Sequence, residues 1–195
     1  MKTVIFDVGE TLLQGMVGME SLIGEKVQRP VTLKDLSQTE LYEYFRGEIS
    51  EMSYWQRVKA RYGWDIDEQE LANLGRQNFR KVPGTLSLAE ALKAKGHRLG
   101  VLSIHGKEWV EDCERRFRYQ HLFHFCSYSY HEGLLKPDPR SFMRLLEHLG
   151  DTPENCVFID DNPRNIEGAT KLGMTALLFT DAATLERELR NIDLL

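Results

Sequence analysis

Apolar and polar positions along the chain follow two regimes. At the N-terminus, Val4-Ile5-Phe6 is continuously apolar and stops at Asp7, followed by Val8-Gly9-Glu10-Thr11-Leu12-Leu13. A short run of β-favouring apolar residues suits a parallel strand covered on both faces, and Gly9 allows a sharp turn or close approach to a ligand. The pattern predicts a buried strand with an acid at its tip. From about residue 14 to 82 the spacing becomes helical. Leu36, Leu41, Tyr44 and Phe45 mark one helix, which Gly47 can end. A second begins near Ser50 or Ser53 and carries Trp55, Val58 and Tyr62 up to Gly63. A third follows Asp65, which with Glu68 resembles a capping box, and runs through Leu71 and Leu74 toward Phe79. These helices are expected to bury a small core of their own, filled by most of the segment's aromatics, with one or two reaching a ligand.

Beyond Pro83-Gly84, helices and strands alternate. A helix over 86–95 precedes a strand at 98–102; a helix with Trp109, Val110, Cys113 and Phe117 precedes a strand at 125–128. The helix carrying Phe142, Leu145, Leu146 and Leu149 ends at Gly150, and Cys156-Val157-Phe158-Ile159 reads as another covered strand. A short helix over 165–172, a strand at 175–179 and an amphipathic helix from Ala182 complete the chain. Repeated βα units predict an α/β fold: a Rossmann-like parallel-sheet core, residues 1–13 and 83–195, interrupted by a helical insertion over 14–82.

Composition narrows the field. A chain of 195 residues, 42% hydrophobic and 28% charged, suits one sizeable soluble core with an inserted subdomain. The formal net charge of −5 gives no electrostatic reason to expect nucleic acid. No apolar run approaches membrane-spanning length, so no membrane partner is expected. The N-terminus enters the first strand without a basic, apolar leader, and the expected location is the cytoplasm. Cys113, Cys126 and Cys156 are too far apart for a zinc knuckle or redox pair and read as buried free thiols. His105 and His131 stand near candidate chemistry; the other histidines read as surface or packing residues.

Parallel strands deliver their C-terminal ends to one edge, so residues distant in sequence converge there. The ends read from this chain carry Asp7, Ser103, Lys136 and the pair Asp160-Asp161. Each has a task if the substrate is a phosphate ester. Clustered carboxylates invite a hard divalent cation such as Mg2+, Lys136 pairs with a carboxylate and a phosphoryl oxygen, and Ser103 donates to phosphate. Asp7 can then attack phosphorus. Plainer readings stand beside these: Ser103 as a helix N-cap, and Lys136-Pro137-Asp138-Pro139 as a loop feeding a helix. Adjacent acids at a covered strand end cost repulsion that a solvated face would avoid, which favours a functional reading for Asp160-Asp161.

Taken in order, these pieces resemble the haloacid dehalogenase superfamily of hydrolases, which is dominated by Mg-dependent phosphatases. Phe6-Asp7-Val8-Gly9-Glu10-Thr11-Leu12 is similar to the first motif, Leu102-Ser103 to the second, and Lys136-Pro137-Asp138-Pro139 to the third. Ile159-Asp160-Asp161-Asn162-Pro163 with Asn165-Ile166-Glu167-Gly168-Ala169 is similar to the fourth. By position, residues 14–82 resemble that superfamily's cap. Arg46-Gly47-Glu48-Ile49-Ser50 and the long fourth motif look most like the α-D-glucose-1-phosphatase group and the phosphatase domain of soluble epoxide hydrolase.

The resemblance implies that Asp7 is the nucleophile and a metal ligand, that Gly9 serves the metal through its backbone carbonyl, and that Asp161 is the principal ligand of the fourth motif. It implies that Asp160 acts through water or as support, that Ser103, Ile104 and Lys136 bind phosphate, and that Asn165 takes a place often held by another carboxylate. Two departures stand out. Gly9 occupies the position where most of these phosphatases carry the acid that protonates the leaving oxygen, and Ile104-His105 follows Ser103 where an asparagine is common. Glu10, a water or His105 are candidate replacements for the acid; for Glu10 the plainer reading is a salt-bridging or exposed residue. The implied activity is Mg2+-dependent hydrolysis of a small phosphorylated metabolite, such as a sugar phosphate. The alternatives are a metal-independent haloacid dehalogenase-type hydrolase, or a catalytically weak phosphate-ligand-binding or regulatory protein of the same fold.

Overall fold

Each covered apolar run forms a strand in the computed structural model, which describes residues 1–195. The wholly buried β1 (Thr3–Phe6) leads through a turn to β2 (Leu13–Gln14). Five helices follow: α1 (Met19–Val27), α2 (Leu33–Leu36), α3 (Thr39–Phe45), α4 (Glu51–Tyr62) and α5 (Glu68–Gln77). The chain then returns through β3 (Arg80–Lys81), antiparallel to β2 with Leu13 opposite Lys81. Next come α6 (Thr85–Ala94), β4 (Arg98–Ser103), α7 (Lys107–Phe117), β5 (Phe125–Tyr128), α8 (Ser129–Glu132) and α9 (Pro139–Leu149). The last elements are β6 (Cys156–Asp160), α10 (Pro163–Lys171), β7 (Thr175–Leu178) and α11 (Ala182–Asn191). No helix is long and apolar enough to cross a membrane.

The main sheet is parallel throughout, in the order β5-β4-β1-β6-β7. It is the Rossmann-like α/β core that the alternating pattern predicts. Period-two alternation sorts its side chains between two layers. Val4, Phe6, Leu99, Val101, Val157 and Ile159 face one cluster with residues of α6, α7 and α11. Ile5, Leu102, Cys156 and Phe158 face the other, packed on Phe142, Leu145, Leu146 and Leu149 of α9 and Ala169 of α10.

Local chemistry sets the helix ends. Ser50 caps α4, its Oγ accepting from the Ser53 amide at 3.2 Å, and Gly63 ends that helix at φ 63°. Pro139 and Pro163 open α9 and α10 just after the caps Asp138 and Asn162. The cap of α5 is Asp67, not Asp65: its Oδ1 accepts from the Gln69 and Glu70 amides at 2.9 and 3.3 Å. The helix expected across Leu36 and Phe45 is broken at Ser37-Gln38 into α2 and α3. Two helices, α1 and α8, were not evident from the pattern. A Cβ on Gly24, inside α1, would lie 3.0 Å from the Arg29 carbonyl, so close packing favours glycine there. Cys113 and Cys156 are buried free thiols as expected, whereas Cys126 is only half-buried.

The expectation of a separate core in the helical segment needs correction. Tyr44, Tyr54 and Trp55 are buried as anticipated, but they belong to one continuous cluster with Phe6, Val101 and Trp109 beneath the sheet. The aromatic rings are wide enough to bridge the gap: Trp109 of α7 meets Tyr44 and Phe45 of α3 edge-on at 5.2 and 5.7 Å between centroids.

A buried charge joins the same elements. Glu51 of α4 is 1% exposed, and its Oε1 accepts from Trp109 Nε1 at 2.7 Å and from Arg76 Nε at 3.2 Å. A second bond from the Arg76 guanidinium reaches Oε2. Burial pushes the Glu51 carboxyl up, against the pull of Arg76 and Trp109. Removing one partner strands a charge that cannot reach water. Arg76→Met is therefore expected to lower unfolding free energy by about 3 kcal/mol, and the double variant Arg76→Met/Glu51→Gln to recover most of that loss, read from urea midpoints.

Candidate active site

β1 is flanked by β4 and β6, so Asp7, one residue past β1, sits between Ser103 at the end of β4 and Asp160 at the end of β6. The Asp7 amide donates to the Ile159 carbonyl at 2.8 Å, which extends the pairing to the carboxylate's own backbone. The loop between α8 and α9 brings Lys136 over this edge. Its ammonium lies 2.9 Å from Asp7 Oδ1 and 2.5 Å from Asp160 Oδ2, with the side chain 2% exposed.

Asp160 is fully buried and fully bonded. Asn165 Nδ2 donates to both its oxygens at 3.0 Å, and the Asn162 amide donates to Oδ1 at 2.8 Å. Asp7 has only the lysine among protein partners at its carboxylate, and Asp161 next to Asp160 is partly exposed. Carboxylate oxygens of Asp7, Asp160 and Asp161 lie within 4.8 Å of one another. Burial, then repulsion from Asp160 and Asp161, pushes Asp7 up to about 7 against the pull of Lys136. Burial and Asp160 push Asp161 up to about 6. Burial alone would lower Lys136, but Asp7 and Asp160 outweigh it and hold the ammonium above its ordinary value.

These features fit a hard divalent cation. The donors are oxygens, they crowd without a compensating second cation, and their mutual repulsion is what such an ion relieves. Asp160 already spends both oxygens on Lys136, Asn165 and Asn162, so Asp7 and Asp161 have the freer lone pairs.

Above this floor lies a cavity of about 280 Å³. Asp7, Gly9, Lys136, Asp161, Asn162 and Asn165 line one side; Leu41, Phe45, Phe79, Ile104, His105 and Trp109 form the other wall, with Met16, Val17 and Tyr42 at the rim. Most of the candidates read from the sequence thus meet here; Asp160 is fully buried behind the lining, and Ser103 stands apart. Ser103 is 2% exposed and lines a small adjoining space with Lys136 rather than the cavity, and its Oγ has no partner in the protein. Gly9 faces open room: a Cβ built on it meets no atom within 4 Å.

The proposed replacements for the acid fare differently. Glu10 lines the cavity with φ 54°, but its Oε1 accepts from the Gly15 and Val17 amides at 2.9 and 3.1 Å, so it tethers the rim loop. His105 is nine-tenths buried among Phe45, Phe79 and Trp109, and burial pushes it down to about 4, so it stands in the wall as a neutral ring.

Several lining residues escaped sequence reasoning. Leu41, Phe79 and Trp109 are apolar residues at helical spacing that read as core, and they are core on one side and wall on the other. Asn78 was also missed. Its Nδ2 donates to the Gly15 and Val17 carbonyls at 2.7 and 3.0 Å, and its one signal was an amide sitting between an amphipathic helix and a strand.

A family model described as haloacid dehalogenase-like hydrolase matches residues 1–173. The chain belongs to that family. Among curated haloacid dehalogenase-like relatives, it is 31% identical over 201 residues to the glyceraldehyde 3-phosphate phosphatase of Methanothermobacter thermautotrophicus, covering 94% of this chain and 88% of that one. It is 28% identical over 130 residues to flavin mononucleotide hydrolase 1 of Arabidopsis thaliana, a match covering 67% of this chain and about half, 53%, of that protein's length. A haloacid dehalogenase family enzyme from Bacteroides thetaiotaomicron, solved as a magnesium complex, superposes with a TM-score of 0.80 at 20% identity, covering 97% of this chain and 98% of that one. That likeness shows a shared fold.

The neutral His105 makes acid costly for this family member. Its folded value of about 4 lies below the ordinary 6.5, so the unfolded chain binds its proton first and stability drains away as pH falls from 6.5 toward 4. That contribution is on the order of 3 kcal/mol. Urea midpoints followed across this window are expected to fall less steeply for His105→Gln than for the parent.

Proposed function

We propose that this protein hydrolyses small phosphomonoesters, with Mg2+ and through an aspartyl phosphate on Asp7. The observation that carries the reading is the buried lysine bridging Asp7 and Asp160, with Asp161 beside them, at the floor of a cavity. Hydrolysis at a carbon–halogen bond would need the nucleophile but not an acid cluster of this density. The names of relatives, a glyceraldehyde 3-phosphate phosphatase and a flavin mononucleotide hydrolase, agree with the choice.

In this reading Asp7 attacks phosphorus, its new O–P bond forming as the ester P–O bond breaks, and the departing alkoxide takes a proton from water. Lys136 holds Asp7 in place and meets the charge growing on the phosphoryl oxygens. The Ser103 hydroxyl, unsatisfied within the protein, donates to the phosphoryl group if a modest shift opens its small space, and the backbone at Ile104 borders the same region. A bound Mg2+, held by Asp7, Asp161 and the Gly9 carbonyl with Asp160 in support, would neutralise phosphate charge. Asn165 keeps Asp160 fixed by donating to both its oxygens. A water then attacks the phosphorus of the aspartyl phosphate, its O–P bond forming as the Asp7 O–P bond breaks, so that inorganic phosphate leaves, the water's proton passes to the hydroxide left by the first step, and the Asp7 carboxylate is freed. The open room beside Gly9 lets water approach the leaving oxygen.

Phosphate release from p-nitrophenyl phosphate is expected to require Mg2+, to stop with a chelator and return on its re-addition. Asp7→Asn is expected to cut turnover at least about ten-thousandfold, the scale of removing a nucleophile. Metal-independent activity on a haloacid, or activity unaffected by Asp7→Asn, would overturn the mechanism.

Because Gly9 has space for a side chain, Gly9→Asp is expected to restore a proton donor. Turnover of alkyl phosphates, which have poor leaving groups, should rise by roughly ten- to a hundredfold, with little change for p-nitrophenyl phosphate. An equal effect on both would place the benefit elsewhere.

A further inference from the structure

The wall of the cavity facing away from the carboxylates is mostly apolar, made by Leu41, Phe45, Phe79, Ile104 and Trp109, with the His105 ring, whose Nδ1 has no partner in the protein, as its one polar member. Trp109 turns its one donor away, to Glu51 Oε1. The single cation in the lining, Lys136, already serves two carboxylates. One phosphoryl group therefore uses up the positive charge, and a second anionic group on the substrate would meet none. Hydroxyls on a leaving group would lose water and find few partners in return, a cost of about 1–3 kcal/mol for each buried donor left unmade.

The rim adds an independent observation. Val17 is 51% exposed and Tyr42 45% exposed, and both line the cavity together with Met16. Large apolar side chains left open at a cavity mouth mark a surface awaiting a ligand. This lip is also rigidly presented. Glu10 accepts from the Gly15 and Val17 amides, the Gln14 side chain donates to the Val17 carbonyl at 2.7 Å, and Asn78 donates to the carbonyls of both Gly15 and Val17. Three polar side chains thus secure the backbone of a loop whose outward residue is Val17. His105, neutral within the wall, adds no charge.

From the lining and the braced lip we infer that the alcohol released by this protein is apolar, an alkyl, isoprenoid or aryl group rather than a sugar or a second anionic moiety. The inference rests on the phosphomonoester reading of the same site and departs from the sugar phosphate that the sequence resemblance suggested. The cavity, about 280 Å³, falls just under the usual range for ligand pockets, roughly 300–1,000 Å³. A short chain fills it against Phe45, Phe79 and Trp109; a longer one runs out past Val17 and Tyr42 into solvent.

The test is a series of linear alkyl monophosphates, from methyl to dodecyl, assayed for phosphate release with Mg2+ beside glucose 6-phosphate and glycerol 3-phosphate. The kcat/KM is expected to rise by about fourfold for each methylene that enters the wall, the fold-change equivalent of 0.8 kcal/mol, then to level off once the chain passes the rim. Val17→Asp is expected to flatten the rise over the last carbons before the plateau. Alkyl phosphonates, which bind without being cleaved, are titrated calorimetrically in parallel and should show the same slope in affinity. A flat series, or glucose 6-phosphate turned over better than hexyl phosphate, overturns the apolar assignment and leaves the phosphatase reading standing. Phosphonate affinity that climbs with chain length while no ester is cleaved overturns the phosphatase reading and keeps the apolar assignment. Neither cleavage nor a phosphonate slope overturns both.

Discussion

The structure turns on one buried ammonium. Lys136 stands between Asp7 and Asp160 where three parallel strands end, and without it the two carboxylates would be forced together out of water. Its placement also sets the two acids apart. Asp160 is saturated: lysine, asparagine and a backbone amide occupy both its oxygens, which makes it a fixed post. Asp7 shares the lysine but lacks the rest, so it remains an acid with unspent lone pairs facing a cavity. The ring of Phe158, 5.4 Å from the ammonium, closes the other side and keeps the pair from being diluted by solvent.

A second buried charge performs a comparable task at the wall. Glu51 draws Trp109 of the sheet layer and Arg76 of the inserted helices onto one carboxylate. It also removes the indole N–H from the surface offered to a ligand, so the same bond that joins the helices to the sheet makes that wall apolar. Packing reinforces the join: a Cβ on Gly106, at the start of α7, would come within 2.0 Å of the Tyr44 ring, so α3 rests directly on the backbone there. The helical segment and the sheet therefore meet as one packed interior.

The chemistry of the floor was legible because parallel strands announce themselves. Three apolar runs stop at Asp7, Ser103 and Asp160, and the geometry of such a sheet carries their ends to one edge whatever lies between them. Lys136 followed from its place after the next strand. The wall was not legible, since Leu41, Phe79 and Trp109 obey the same spacing whether they face protein or a ligand. Ser103 shows a further limit: sequence places it at the right edge, while only side-chain packing decides that its hydroxyl lies beneath the cavity. The cap of α5 went to Asp67 rather than Asp65 for a similarly local reason, two acids standing two residues apart with only one amide-facing geometry between them.

The double membership of the wall bears on how such a protein can change. Phe45, Phe79 and Trp109 belong at once to the cavity and to the main interior, so altering them trades selectivity against folding. Val17 and Tyr42 carry no such burden, and the side chains of Glu10, Gln14 and Asn78 hold the loop's backbone whatever stands at 17. The lip is thus the evolvable margin of the site, a place where lineages can drift toward new substrates while the scaffold beneath stays intact.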